Sequence, residues 1–542
     1  MERNIFNKMQ RRRIYACLCV VSVIWAVLAA RLFYWQILCH ETLSEAAVSQ
    51  YQVMIDGLDP RGMILDRNGQ PLTGGNETYF YFLQNKRIDR RAEQLLEAVK
   101  SQKISAAGSD SARYSVYRTS LFDAAVNEKL QEDYGAYVFC GISRYQDNQA
   151  ACHLIGYLNL SEQKGVSGLE QQYEETLRPD GRTLALWADG SGNLLSHVPP
   201  QQSGTKQRLQ STLVTTIDRQ LQTFCERSFS SKNLNGTVLV SEAESGQVLA
   251  WVSSPGFNPN RLEDYLGGGS SNLVNKCIQG LYAPGSVFKI VVAAAALEQG
   301  EISPLAVYNC TGETEVNGVR LGCQAGPEGG HGTVNMYEAV AASCNCYFAQ
   351  LGERLGVEAV LKMAQQLGFG EKVFDCFQEE TAGNLPDAAG CGPWDISNLS
   401  IGQGEILVTP AQVQQMMAVI ACGGVRNPLT VVMDGDEDIS AGEAKRVLSE
   451  SSASRICDML QLVMTEGTGS SLTWPFEAAG KTGTAEAGSG GQQVSNCWFS
   501  GFCRAGDETY VVTVLVECGV SGSASALPVF HEICEYLVRN TE

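Results

Sequence analysis

The chain has 542 residues, 44% of them hydrophobic, and a formal net charge of -19. A chain of this length and composition buries more than one hydrophobic core, so we expect two or more domains and no extensive disorder. No dense basic run occurs beyond residue 13. This argues against nucleic acid as a partner, because neutralising phosphates requires a basic surface.

The first 40 residues predict a membrane anchor. Five basic residues precede residue 14, and residues 14–30 follow without a charge. The uncharged stretch spans roughly 25 Å, and residues 32–38 extend it if Arg31 reaches the interface. We predict a cytoplasmic tail over 1–13, a single transmembrane helix over 14–38, and the rest of the chain outside the cell membrane. A cleaved signal peptide is the alternative, but Ala29-Ala30-Arg31 is a poor cleavage site.

The remaining chain divides into two predicted domains. Residues 61–73 alternate apolar and polar positions around an Asn-Gly turn, which indicates a strand. Residues 191–210 have the Ser, Gly, Gln and Pro content of a linker or exposed hairpin. We therefore place one domain over 39–205 and a second over 206–542.

The second domain has strand signals at both ends. Apolar runs at 236–255 and 496–518 predict antiparallel strands, and residues 287–420 between them are predicted to be helical. This pattern favours an α+β fold, with one antiparallel sheet and helices packed on it.

Ser286 and Lys289 form an S-x-x-K motif behind Pro284-Gly285. Positions i and i+3 share a helix face, so the two side chains are expected to meet at the start of a helix. A serine hydroxyl becomes a good nucleophile when a base takes its proton, and lysine serves as that base only if burial lowers its pKa. Backbone N–H groups at a helix start also stabilise an oxyanion. Alone, the motif is equally compatible with an N-cap serine and a solvated lysine.

Two further triplets change this balance. Ser343-Cys344-Asn345 is an S-x-N triplet, and Lys481-Thr482-Gly483, followed by Thr484, is a K-T-G triplet. S-x-x-K, S-x-N and K-T-G in this order are typical of penicillin-binding proteins and class A β-lactamases.

Longer segments also match one family. They are RGMILDRNG (61–69), HLIGYL (153–158), GVSGLEQQY (165–173), TTIDRQLQ (215–222), YAPGSVFK (282–289) and LSIGQGEILVTPAQ (399–412). With these segments the chain resembles the class B penicillin-binding proteins, the monofunctional peptidoglycan D,D-transpeptidases of division, elongation and sporulation. The resemblance implies a single anchor, an elongated mixed pedestal domain, and a transpeptidase domain whose antiparallel sheet carries helices on both sides.

The resemblance also implies roles for the motif residues. Ser286 would attack the D-Ala-D-Ala carbonyl of a stem peptide, with Lys289 as the base and Ser343 relaying the proton to the leaving amine. Asn345 would hold a substrate amide. The pocket for the terminal carboxylate would be formed by Lys481, Thr482, Gly483 and Thr484, and the N–H groups of Ser286 and Thr484 would form the oxyanion hole.

The implied partners follow from the same resemblance. They are peptidoglycan stem peptides, β-lactams, a SEDS-type glycan polymerase and other membrane proteins of wall synthesis, and the chemistry itself requires no cofactor. The choice between division, elongation and sporulation stays open.

Other function classes make different demands on the sequence. A membrane-anchored serine β-lactamase shares the three motifs but needs no pedestal domain, and a β-lactam sensor would have several membrane spans. A mainly scaffolding component of a wall-synthesis complex is a third alternative, which intact Ser286, Lys289 and Lys481 disfavour.

Nineteen cysteines are scattered without CxxC pairs, and most are expected to be buried thiols that pack as small apolar side chains. One group stands apart, because Cys310, Cys323, His331 and Cys344 together offer a zinc-compatible set of three thiols and an imidazole. Their gaps of 12, 7 and 12 residues are not zinc-finger spacing. A structural zinc is therefore one hypothesis, beside a Cys310–Cys323 disulfide and free thiols with a solvated histidine.

Three further residues receive structural interpretations. Arg61 is expected to pack the pedestal, and His153 to be a satisfied core or interface histidine. Gln403 is expected to lie in a loop turn that Gly402 and Gly404 impose.

Overall fold

The computed structural model describes most of the chain. It covers residues 2–40, 43, 52–55, 61–74, 76–104, 113–159, 164–178, 183–191, 193–195, 198, 201–203, 212–267, 271–326, 329–374, 376–388, 390, 395–433, 442–487 and 494–541.

The secondary structure of these residues is mixed. The helices are α1 (Glu2–Phe33), α2 (Arg90–Ala98), α3 (Ala124–Tyr134), α4 (Cys152–Ile155), α5 (Gly168–Gln172), α6 (Glu174–Leu177), α7 (Arg219–Ser230), α8 (Glu263–Leu266), α9 (Lys289–Gln299), α10 (Met336–Ala341), α11 (Asn345–Leu355), α12 (Val357–Gln366), α13 (Asp395–Leu399), α14 (Pro410–Ala421), α15 (Glu450–Thr465) and α16 (Leu527–Thr541). The strands are β1 (Gln52–Ile55), β2 (Ile64–Leu65), β3 (Asn76–Gln84), β4 (Gln102–Ile104), β5 (Tyr114–Thr119), β6 (Tyr137–Ser143), β7 (Leu158–Asn159), β8 (Lys164–Gly165), β9 (Thr183–Trp187), β10 (Gln201–Ser203), β11 (Leu213–Val214), β12 (Gly236–Glu242), β13 (Val248–Ser254), β14 (Tyr308–Cys310), β15 (Glu313–Val316), β16 (Val319–Gly322), β17 (Gly332–Val334), β18 (Val425–Arg426), β19 (Lys445–Arg446), β20 (Ala478–Ala487), β21 (Val494–Ala505) and β22 (Glu508–Gly519).

The N-terminal apolar segment is helical, as predicted. Helix α1 continues through a π-helical turn at Tyr34–Leu38, and Lys8–Leu38 is long and apolar enough to cross a membrane. The most apolar window of this stretch makes no buried contact with the rest of the described chain. Its exposed leucines, valines and aromatic rings would be costly in water, which is consistent with an anchor.

One compact unit comprises residues 1–59, 77–141 and 180–207. It holds a four-stranded sheet in the order β4-β5-β3-β6 and a three-stranded sheet in the order β1-β9-β10. Side chains of β3 alternate between the two faces of its sheet, and each face packs in its own core. Phe80 and Phe82 pack with Leu186 on one face, whereas Tyr81 packs with residues of α2 and α3 on the other.

The other compact unit comprises residues 60–76, 142–179 and 208–542. Two segments of the predicted pedestal, 60–76 and 142–179, thus belong to the same compact unit as the C-terminal part of the chain. In the first of these segments, β2 pairs in parallel with β11, and Arg67 forms an ion pair with Glu242 at 2.8 Å. The domain boundary that the sequence predicts between residues 205 and 206 stays a prediction.

A five-stranded antiparallel sheet lies at the centre of this second unit. Its order is β13-β12-β22-β21-β20, so β20 is an edge strand. Residues 510–516 of β22 are buried without alternation, as expected when both faces of a sheet are covered. Phe530 of α16 packs on Phe499 from one side, and Gln414 of α14 donates to Ser241 from the other. The predicted α+β class is confirmed.

The predicted helical middle of this unit needs a correction. Strands β14 to β17 interrupt it over residues 308–334. The β15–β16 hairpin turns at Asn317-Gly318, where both residues have positive φ, of 50° and 82°. Asn-Gly between valines is a strong hairpin signal, and the helical interpretation overlooked it.

Candidate active site

Ser286 lies in a short 3-10 turn that precedes a buried helix. The turn covers Gly285–Phe288 and α9 begins at Lys289, with every residue from Lys289 to Leu297 buried. The α-helix thus begins one turn later than predicted, at Lys289. Residues i and i+3 eclipse in a 3-10 turn, so Ser286 and Lys289 still face the same side. Ser286 itself is half-buried.

The glycine loop predicted around Gln403 holds this turn in place. The Gly285 N–H donates to the Gly402 carbonyl at 2.9 Å. Gly402 has a φ of 69° and Gly404 a φ of 91°, which agrees with a turn imposed by glycines. A Cβ at Gly402 would lie 2.1 Å from the Gly285 oxygen, so only glycine permits this approach. Sequence reasoning overlooked this contact between two distant segments.

Lys289 joins the first two motifs. Its Nζ donates to the Ser343 carbonyl at 2.7 Å, to Ser343 Oγ at 3.2 Å and to Asn345 Oδ1 at 2.6 Å. Within the described part of the chain these are its three hydrogen-bond acceptors, and Ser286 is not among them. Burial lowers the pKa of Lys289 to about 8. A substantial fraction of this amine is therefore neutral near physiological pH.

The third motif lies against the turn that carries Ser286. A Cβ at Gly483 would be 2.9 Å from Val287 Cγ2, and a Cβ at Gly285 would be 2.9 Å from the Thr484 carbonyl. Lys481 is fully buried, and burial followed by the charge of Lys289 holds its pKa well below the ordinary lysine value. The structure thus brings all three motifs to one site, at the edge strand β20.

The two threonines of the third motif are held by residues that the sequence did not indicate. Thr482 Oγ1 shares a hydrogen bond with Thr468 Oγ1 at 2.7 Å, and the Gly522 N–H donates to Thr484 Oγ1 at 3.1 Å. Strand alternation places both threonines on the face opposite Lys481. Neither Thr468 nor Gly522 belongs to a motif that could have revealed this role.

The four candidate metal ligands also converge. The ligand atoms of Cys310, Cys323, His331 and Cys344 all lie within 4.8 Å of one another. His331 Nδ1 is 3.5 Å from Cys310 Sγ and 3.4 Å from Cys323 Sγ, and the sulfurs of Cys323 and Cys344 are 3.9 Å apart. Tetrahedral zinc, with bonds of about 2.3 Å to sulfur and about 2.0 Å to nitrogen, requires separations of about 3.8 Å and 3.5 Å. The described cysteines are all free thiols, so the disulfide alternative is not what the structure contains.

This cluster adjoins the catalytic motifs. Cys344 is the central residue of the S-x-N triplet, and the Asn345 N–H points to Cys323 Sγ at 3.4 Å. Asn345 Nδ2 donates to the Gly322 carbonyl at 2.9 Å. The neighbouring Cys344 thiol and nearby backbone N–H groups lower the pKa of Cys323, which favours the thiolate form that a metal cation binds.

Arg61 and His153 have structural surroundings, in line with their interpretation. Arg61 Nε pairs with the buried Glu170 at 3.0 Å, and its Nη2 pairs with the half-buried Glu174 at 2.7 Å. The His153 Nε2 lies 2.7 Å from the Asn272 carbonyl, and burial lowers the pKa of His153 to about 4.

Comparison with known proteins identifies relatives over nearly the whole chain. Residues 236–535 match the family profile described as penicillin binding protein transpeptidase domain. Stage V sporulation protein D of Bacillus subtilis is 28% identical over 551 residues, which cover 95% of this chain and 82% of that protein. The peptidoglycan D,D-transpeptidase MrdA of Acinetobacter baumannii is 26% identical over 599 residues, covering 96% of this chain and 86% of that protein.

Solved structures show the same fold. Penicillin-binding protein 2 from Helicobacter pylori, in its complex with MreC, superposes with a TM-score of 0.69 at 22% identity, over 90% of this chain and 99% of that chain. A chain of a peptidoglycan synthase complex superposes with a TM-score of 0.72 at 24% identity, over 97% of this chain and 98% of that chain.

Proposed function

Because the chain belongs to the penicillin-binding protein transpeptidase family, we propose that it is a class B peptidoglycan D,D-transpeptidase acting through an acyl-enzyme on Ser286. The observation that carries this proposal is the buried Lys289, whose amine contacts Ser343 and Asn345 beside the half-buried serine. A lysine with a lowered pKa is able to accept the serine proton at neutral pH.

The first half of the proposed reaction acylates the enzyme. Ser286 Oγ attacks the carbonyl of the D-Ala-D-Ala bond while Lys289 takes its proton. The bond to the terminal D-Ala breaks, and the proton passes to the leaving amine through Ser343. The N–H groups of Ser286 and Thr484 stabilise the oxyanion.

The second half transfers the acyl group. The amine of a second stem peptide attacks the ester carbonyl on Ser286 and gives a proton to Lys289. The ester C–O bond breaks, the proton passes from Lys289 to Ser286 Oγ, and the cross-linked product leaves. The hydroxyls of Thr482 and Thr484 bind the terminal carboxylate of the donor peptide in the first half, and Lys481 lies on the opposite face of β20, buried near Lys289, as part of the catalytic site. β-Lactams acylate Ser286 as analogues of that donor.

Fluorescent penicillin tests the proposal. The full chain in detergent is expected to form a persistent covalent adduct that is absent in Ser286→Ala and retained in Ser303→Ala, an exposed serine. A rapidly hydrolysed adduct would instead indicate a membrane-anchored β-lactamase. A wild-type chain without any adduct would favour the scaffolding alternative.

We also propose that Cys310, Cys323, His331 and Cys344 hold a structural zinc ion. The fit rests on three separations that match tetrahedral zinc: His331 Nδ1 lies 3.5 Å from Cys310 Sγ and 3.4 Å from Cys323 Sγ, and the sulfurs of Cys323 and Cys344 are 3.9 Å apart. A zinc ion there would tie strands β14 and β16 to the loop that presents Ser343 and Asn345. Metal analysis of the purified chain should find one zinc per molecule. Cys323→Ser should lose it together with thermal stability, whereas Cys422→Ser, a half-buried thiol elsewhere, should keep it. A chain without stoichiometric zinc would refute this assignment.

The remaining proposals concern place and partners. The basic residues before the apolar helix favour a cytoplasmic N-terminus, with the transpeptidase domain outside the membrane. The relatives found with MreC and in a peptidoglycan synthase complex support a SEDS-type polymerase and other wall-synthesis proteins as partners. A C-terminal reporter that is active only outside the membrane tests the orientation, and co-purification with membrane proteins tests the partners. Imaging a fluorescent fusion distinguishes division, elongation and sporulation.

A further inference from the structure

We propose that Tyr282 and Glu517 are positioning residues, forming with Lys276 a clamp that sets the place of the Ser286 nucleophile. This inference rests on the proposed function, since it concerns the rate at which Ser286 is acylated. None of the three residues belongs to the S-x-x-K, S-x-N or K-T-G motifs, and none contacts a described residue of those triplets through a hydrogen bond.

Glu517 is the centre of the clamp. Its two carboxylate oxygens have different donors: Lys276 Nζ donates to Oε2 at 2.6 Å, and the Tyr282 hydroxyl donates to Oε1 at 2.7 Å. Lys276 is 2% exposed and also donates to the Ser254 carbonyl at 2.7 Å. The carboxylate is therefore fixed from one side by a buried cation, and its other oxygen is left to orient the phenol.

Tyr282 transmits this orientation to the nucleophile turn. It lies four residues before Ser286, and its main chain exchanges two hydrogen bonds with Val408, at 3.0 and 2.8 Å. The Tyr282 ring packs edge-on against Trp498, whose Nε1 donates to the Ala283 carbonyl at 3.0 Å. Residues 282 and 283 are thus held at both main-chain and side-chain atoms immediately before Pro284-Gly285-Ser286.

The phenol is enclosed as well as bonded. A Cβ at Gly280 would lie 2.4 Å from the Tyr282 ring and 2.7 Å from its hydroxyl, so the chain passes directly over the ring. Burial and then the nearby Glu517 raise the pKa of Tyr282 well above its ordinary value, so the phenol stays a hydrogen-bond donor. Removing the hydroxyl takes the donor from one oxygen of the half-buried Glu517 carboxylate, and the turn loses its link to the sheet.

The experiment separates positioning from stability. Stopped-flow acylation by fluorescent penicillin, with the full chain in detergent, yields the dissociation constant of the initial complex and the rate constant of acylation. Tyr282→Phe is expected to lower the rate constant about tenfold while changing the dissociation constant less than about twofold. Glu517→Gln keeps an acceptor for the phenol but loses the ion pair, so its acylation should fall by less.

Tyr145→Phe is the matched control. The Tyr145 hydroxyl donates at 3.0 Å to Glu170, a buried carboxylate that is likewise paired with a cation. This control should lose stability, measured as the melting temperature, with an unchanged acylation rate constant. An equal acylation loss in Tyr145→Phe, or a wild-type rate in Tyr282→Phe, would overturn the proposal.

If Tyr282→Phe fails to fold, Glu517→Gln provides the test of the clamp instead. An unchanged acylation rate constant in Glu517→Gln then refutes the clamp. A wild-type chain that forms no Ser286 adduct refutes the proposed function, whereas a reactive wild type beside an equally reactive Tyr282→Phe refutes the clamp alone.

Discussion

Gly402→Ala is expected to disable the nucleophile turn. The added Cβ would lie 2.1 Å from the Gly285 oxygen and 2.9 Å from the Gly285 nitrogen, against ordinary contact distances that begin at 3.4 Å. The two segments must separate by about 1.3 Å to remove the first clash, the difference between 3.4 and 2.1 Å. Such a movement breaks the Gly285 N–H bond to Gly402 and displaces Ser286 by a similar amount.

A misplacement of about 1 Å at a reacting group reduces catalysis roughly 100-fold. We therefore expect the acylation rate constant of Gly402→Ala, measured with fluorescent penicillin, to fall by about that factor. Part of any effect will come from placing alanine at positive φ, which is unfavourable by itself. The control must reproduce that strain without the clash.

Gly404→Ala supplies this control. Gly404 has a φ of 91°, and a Cβ there would meet only the Asn398 Cβ, at an ordinary 3.6 Å. This variant should lose stability and retain most of its acylation rate. Equal acylation rates in the two variants would refute the argument that Gly402 is required by its approach to the turn.

Three further predictions concern ionisable groups. Acylation of Ser286 should accelerate as the pH rises through about 8, because the proposed mechanism uses the neutral amine of Lys289 and the pKa of that amine is lowered to about 8. A rate that is flat between pH 6 and 10 would contradict Lys289 as the base. The pKa of His153 is about 4 in the folded chain, against an ordinary value of 6.5, so the unfolded chain binds the proton more readily between these two pH values. The free energy of unfolding should therefore be full above about pH 6.5 and fall toward pH 4. The loss should be roughly 3 kcal/mol, and urea titrations of His153→Gln should show a flatter pH dependence. Arg61→Met should cost roughly 1–3 kcal/mol in urea unfolding, because Glu170 loses one of two cationic partners and keeps Arg144 at 2.6 Å. Arg426→Met removes a more exposed pair, with Glu371 at 3.3 Å, and should cost less than about 1 kcal/mol.

The sequence by itself determined the family and the class of fold. S-x-x-K, S-x-N and K-T-G are local patterns, and their order along the chain needs no coordinates to be recognised. Four of the five strands of the central sheet, β12, β13, β21 and β22, are apolar runs bounded by turn residues, so their antiparallel character was also accessible. The apolar helix at the N-terminus follows from length and hydrophobicity alone.

Only the tertiary structure decided which atoms meet. Lys289 was expected beside Ser286, yet its described hydrogen bonds go to Ser343 and Asn345, more than 50 positions away. No local spacing in the sequence encodes the close approach of Gly402 and Gly285. The gaps of 12, 7 and 12 residues between the four candidate zinc ligands are not zinc-finger spacing. Tyr282 and Glu517 are separated by 235 positions. Contacts of this kind depend on how the sheet and its helices pack, and packing leaves no periodic signature in a single sequence.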